Sequence, residues 1–145
     1  MEGIYIIVAF ALSFMLAQLI KIVAGFIKKK GKMTWLEFTY YLTKSGGMPS
    51  GHSAGFSAVT TYLGFSQGIT SPIFALAFCM TVIIVYDAVN VRYAVGEQGK
   101  LLTNIIKDHR YKNVPTQIIE GHTVPEAAAG IVLGVLIGWA IFALF

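Results

Sequence analysis

The sequence predicts an all-α integral membrane protein of about four transmembrane helices with one or two interfacial helices. Three observations carry that prediction. Of 145 residues, 56% are hydrophobic and 12% charged, with a mean hydropathy of +0.70, the balance of a membrane-embedded chain rather than a soluble one. The apolar residues gather into runs of spanning length. Once those runs are threaded through a bilayer, the Lys and Arg side chains, 11 in all, fall on one side or at its boundary. The length fits a single membrane-embedded domain over residues 1–145. The net charge of +4 sits beside the spans, and no nucleic-acid partner is expected.

Residues 3–27 form the first span, apolar apart from Gln18 and Lys21. No basic segment or small-residue cleavage site marks it as a signal peptide, so a retained, tiltable transmembrane helix is expected. Lys28, Lys29, Lys30 and Lys32 follow at once, whereas Glu2 alone precedes. The positive-inside rule then puts the N-terminus outside and the next loop in the cytoplasm. Residues 34–44 are too short to span and carry Trp35, Phe38, Tyr40 and Tyr41, the pattern of an interfacial helix with an aromatic belt. Residues 50–66 make a second span rich in small and hydroxyl residues (Gly55, Ser57, Thr60, Thr61), which suits a central helix buried among others.

After an uncharged turn, the third span runs from about Ile73 to Val91 and carries Tyr86, Asp87, Asn90 and Arg92 at its inner end. Ionisable groups at such depth are costly and are paired or functional. Cys79 is expected to pack inside this span, and a lone cysteine allows no disulfide framework or thiolate cluster. Residues 93–109 read as a helix along the cytoplasmic surface, and Arg110–Gln117 as a polar loop broken by Pro115, with His109 solvated near headgroups. The fourth span opens at Gly121-His122-Thr123-Val124-Pro125-Glu126 and stays apolar to Phe145. Thr123 with Glu126 is a capping-box start. Gly130, Gly134 and Gly138 recur every fourth residue, a stripe for close helix contact within the chain or in a homo-oligomer. Both termini come out on the outside.

The most chemically suggestive stretch is Gly46-Gly47-Met48-Pro49-Ser50-Gly51-His52-Ser53-Ala54. Glycines and the pre-proline position end a helix, and Ser50 can cap a new one. The free amides of that helix start, with the dipole behind them, make an anion site. His52 stands in the first turn and can exchange a proton near neutral pH. The topology brings this loop, the polar end of the third span and the Gly121-His122-Thr123 start of the fourth to one membrane face.

These blocks resemble a known family. Pro49-Ser50-Gly51-His52 is similar to the central motif of the type 2 phosphatidic acid phosphatase (PAP2) superfamily, to which vanadium-dependent haloperoxidases are related. The flanking glycines, Tyr86-Asp87-Ala88 leading to Arg92, and Gly121-His122-Thr123 with Glu126 look more specifically like its divergent membrane branch, over about Lys21 to Gly134. The resemblance implies a PAP2-like helical bundle and a metal-independent, cofactor-free phosphatase acting on a lipid phosphate or pyrophosphate among membrane lipids. His122 would be the nucleophile, Glu126 its orienting carboxylate and His52 the acid for the leaving oxygen. Lys21, Lys28, Ser50, Gly51 and Arg92 would hold the phosphoryl group, supported by Asp87 and Asn90.

The chain departs from the superfamily pattern in four places. Lys28 and Lys29 stand for an arginine and a proline, Glu126 for an aspartate, and Thr116 for the arginine six residues before the nucleophile. Lysine offers a point charge where arginine offers a fork. Alternatives stay open on the residues themselves: Lys28 as part of the topogenic cluster, Glu126 as a capping-box member, and Asp87 with Arg92 as a structural pair. At the level of function they are a lipid-phosphate-binding or scaffold protein without turnover, and a small transporter lined by Asp87, Asn90 and Arg92. No His, Cys, Asp and Glu spacing points to a metal site.

Overall fold

Helix α3 (Gly51–Ser66) is the element against which α1 (Glu2–Lys28), α4 (Pro72–Val89) and α6 (Val124–Leu144) all pack. The shorter α2 (Trp35–Thr43) folds back on α1, and α5 (Val91–Asp108) continues from α4. The structure, a computed structural model, describes residues 2–43, 46–108 and 121–145. His109, the Arg110–Gln117 loop with Pro115 and Thr116, and Lys44 lie outside the described residues.

Small residues explain why α3 is central. A Cβ added to Gly130, Gly134 or Gly138 of α6 would overlap the carbonyl oxygens of Ser50, Ala54 and Ala58 in turn. The two backbones therefore meet along a seam that rises in parallel, four residues at a time. On the α1 side the register is antiparallel: Phe14 fills the space above Gly51 and Phe10 that above Gly55. Toward α4, Thr60 and Thr81 share a hydrogen bond of 2.8 Å, and Phe74 lies over Gly64. Thus α1 and α4 run opposite to α3 and α6, and the end of α1, the end of α4 and the starts of α3 and α6 share one face.

Several expectations change in detail. Helices α1 and α6, and the run from Pro72 to Ile106, are long and apolar enough to cross a membrane. The expected second span, α3, has 16 residues and rises about 24 Å, short of a hydrocarbon core of about 30 Å. Its cap at Ser50 and the stop at Gln67 and Gly68 set that length. Arg92 is not in the third span but in the first turn of α5, because Asn90 ends α4. Cys79 is exposed rather than packed, since α4 turns only one face to α3. In α2, Trp35 and Leu36 project outward, but Tyr41 covers Gly25 of α1 instead of joining a belt. Lys29 pairs with Glu37 across the same turn.

The glycine stripe faces α3 within the chain, so a dimer through it would need α3 displaced. Gly134→Leu is expected to destabilise the fold by about 3 kcal/mol or more, because the overlap is with backbone that cannot rotate away. Val135→Leu, on the neighbouring exposed position, is expected to be close to neutral. Unfolding monitored in detergent checks the contrast.

Candidate functional site

Gly46 and Gly47 take φ of 92° and 80°, left-handed backbone that a side chain would strain, and turn the chain into α3. A cis Met48–Pro49 bond follows. Ser50 is extended, as a cap must be, and its Oγ accepts from the Ser53 N–H at 3.4 Å and from the Ser53 hydroxyl at 3.0 Å. The Ala54 N–H donates to the Ser50 carbonyl at 3.0 Å. The amides of Gly51 and His52 have no partner within the helix, the usual state of a first turn. Ser50 itself is fully buried in the α3–α6 seam, and its N–H donates to the Glu126 carbonyl at 3.0 Å. Its hydroxyl is occupied as a cap.

The start of α6 is clamped to the end of α4. The His122 N–H donates to the Ala88 carbonyl at 3.0 Å, and Gly121 lies so close to the α5 backbone that a Cβ would overlap the Tyr93 nitrogen. His122 is buried, and its Nδ1, 3.5 Å from Glu126 Oε2, has no hydrogen-bond partner among the described residues. The same Oε2 accepts the Thr123 N–H at 2.9 Å. Glu126 is therefore both the capping-box partner and the carboxylate beside the imidazole, through one oxygen.

Charge gathers around the two histidines. Lys21 reaches inward from α1 beside Gly47 and is only 8% exposed, and its ammonium acts on both imidazoles. His52 stands at the exposed mouth, edge-on to Phe14 at 5.7 Å between ring centres. It feels Arg92 and Asp87 as well as Lys21. Arg92 Nε donates to Asp87 Oδ2 at 2.5 Å, which leaves the terminal guanidinium nitrogens outside that contact. Burial first, then the Lys21 charge, pushes the His122 pKa below its ordinary 6.5, with Glu126 pulling the other way. That direction favours the unprotonated imidazole, the form in which a ring nitrogen has a free lone pair.

Lys21, Gly51, His52, Asp87, Arg92, His122 and Glu126 thus come to one face. Lys28 does not join them: it is exposed in the last turn of α1, two turns or roughly 10 Å beyond Lys21. Asn90 is turned back, its amide donating to the Tyr86 carbonyl at 3.1 Å as the end of α4. Sequence reasoning missed Phe14, although Phe10 and Phe14 match Gly55 and Gly51 at the same four-residue spacing. It also missed a small polar cavity of about 160 Å³ beside the cluster, where Tyr93, Glu97 and Lys100 of α5 face Gly47, Gly121 and Glu126. The i, i+3 pair of Glu97 and Lys100, 2.7 Å apart, was the available signal. Among the described residues no three His, Cys, Asp or Glu side chains group as metal ligands.

A family model described as "Divergent PAP2 family" matches residues 3–137. The chain is also similar to the uncharacterized membrane protein YuiD of Bacillus subtilis (strain 168), at 34% identity over 113 residues. That alignment covers 77% of this chain and 65% of the relative, so the chain spans just under two thirds of the relative's length. No solved structure matches.

The electrostatics of the cluster give a direct expectation. In an NMR titration the His122 imidazole is expected to protonate below pH 6.5, and Lys21→Met to move its midpoint upward by removing the nearby positive charge. A midpoint that stays put in Lys21→Met would contradict the placement of that ammonium.

Proposed function

This chain belongs to the divergent PAP2 family, and from that premise we propose that it is an integral-membrane phosphatase acting on a lipid phosphate or pyrophosphate. The observation that carries the reading is the pairing of two histidines on adjoining helix starts, with one buried lysine acting on both. His122 attacks phosphorus through the nitrogen not facing Glu126. A P–N bond forms as the P–O bond to the lipid breaks, and the protonated fraction of His52, whose pKa burial and then the Arg92 and Lys21 charges lower, gives its proton to the departing oxygen. The ring then carries positive charge, which the Glu126 carboxylate at 3.5 Å from Nδ1 offsets. Water next attacks the phosphohistidine and gives a proton to His52, and the P–N bond breaks to release phosphate.

Lys21, the Gly51 and His52 amides and the free end of Arg92 stabilise the phosphoryl oxygens. Arg92, steered through Nε by Asp87, supplies the guanidinium that the family pattern has at the position of Thr116. No metal enters this scheme. The lysine cluster after α1 supports an active face on the cytoplasmic leaflet. A second reading, lipid-phosphate binding without turnover, is favoured by Thr116 in place of the arginine and by the small size of the chain.

Phosphate release by the purified protein from a panel of lipid phosphates and pyrophosphates, with chelator present, tests the choice. His122→Ala is expected to abolish turnover, His52→Ala to lower it roughly 100-fold or more, and Arg92→Ala to lower it with Arg92→Lys restoring only part. Full activity in His122→Ala would remove the nucleophile assignment. Folded protein that binds the lipids but releases no phosphate would select the binding reading.

A further inference from the structure

The two histidines are held in different ways. His122 is fixed through its backbone to α4, whereas the His52 imidazole stands at the exposed mouth, and among the described residues no hydrogen bond fixes its ring. Phe14 of α1 is the ring that touches it, at 5.7 Å between centres and 81° between planes. The torsion that turns an imidazole about its own axis has broad minima, so an exposed histidine without such a neighbour spreads its two nitrogens over many directions. An acid that must meet one departing oxygen needs one direction.

Phe14 is itself fixed from two sides. Ala9, Ser13 and Ala17 are fully buried at every fourth position of α1, a small-residue face that lets helices approach closely. Phe10 and Phe14, each one position further on, lie along the edge of α3. Phe10 fills the space above Gly55, edge-on to Phe56 at 5.4 Å, and stacks on Phe14 at 6.1 Å with the planes 10° apart. Phe14 in turn covers Gly51, its Cε2 3.1 Å from where a Cβ would stand. Gly51 does not have the left-handed backbone of Gly46 and Gly47, and alanine is ordinarily the better residue in a helix. What the missing side chain makes room for is the Phe14 ring.

We propose that Phe14 is a positioning residue for His52, and that residue 51 is glycine so that this ring can lie against the imidazole. The part this plays in proton transfer rests on the phosphatase reading, whereas the contact does not.

The test reads the contact and the reaction separately, in full-length protein in nanodiscs. With isotope-labelled histidine, the three histidines are told apart by replacing each in turn, and the ring current of Phe14 is expected to displace the carbon-bound proton signals of His52. Phe14→Leu is expected to remove that displacement while the His122 signals stay in place, and to lower kcat on a lipid phosphate about tenfold with KM little changed. Phe14→Tyr, which keeps the ring, is expected to restore both. Gly51→Ala disturbs the same contact from the opposite side without opening a cavity. It is expected to move the His52 signals and lower kcat in the parent chain, yet to add no further loss in a Phe14→Ala background. His52 signals or kcat unmoved by Phe14→Leu, or a Gly51→Ala loss of the same size in both backgrounds, would overturn the proposal and leave the phosphatase reading standing. Coupled movement of the His52 signals in a chain that releases no phosphate would remove the phosphatase reading and keep Phe14 as the residue that orients His52.

Discussion

The seam between α3 and α6 is the contact on which the rest depends. With three glycines set against three carbonyls of α3, the helix backbones come within touching distance, closer than any pair of side chains would allow. Dispersion between such surfaces, not hydrophobic transfer, is what holds helices together in lipid. The parallel register fixes both helix starts at one level. His52 belongs to the first start, and His122 stands immediately before the second. The backbone bond from Ser50 to Glu126 ties the two starts directly, so the distance between the imidazoles is a property of main-chain packing rather than of flexible side chains. That is the kind of rigidity the proposed two-histidine phosphoryl transfer needs.

Around that seam the electrostatics are arranged asymmetrically. Lys21 is a buried cation among apolar helices, a placement that is costly and so marks function or pairing. Burial first and then the Lys21 charge lower the His122 pKa, while Glu126, with Oε2 3.5 Å from Nδ1, pulls the other way. Arg92 remains more exposed and is oriented by Asp87. The inner and outer faces of the site therefore differ. The inner one favours a neutral imidazole, and the outer one carries the more exposed positive charge, the side from which the proposed anionic headgroup would approach.

Much of this was legible in the sequence for identifiable reasons. The cap at Ser50, the box formed by Thr123 and Glu126 and the glycine stripe each have a local spacing tied to one geometry. The breaks around them place the helix starts. What could not be read depends on tertiary neighbours. The stripe at Gly130, Gly134 and Gly138 does not say whether its partner is α3 or a second chain. Only the matching small residues Ser50, Ala54 and Ala58, at the same four-residue spacing, decide that, and only once the two are docked. Lys21 and Lys28 share a helix face, yet α1 ends its contact with the site before Lys28. The boundary at Asn90 moved Arg92 into α5 because a side-chain amide closing on the Tyr86 carbonyl is a choice among many that an apolar run permits.

The most direct test of the central claim is to look for the covalent intermediate itself. Purified protein mixed with a radiolabelled lipid phosphate, quenched in alkali within one turnover and mapped by mass spectrometry, should carry phosphate on His122. The label should accumulate in His52→Ala if that residue also serves the hydrolysis of the intermediate. Turnover with no phosphate on His122 at any quench time, or with the label on another residue, would contradict the account.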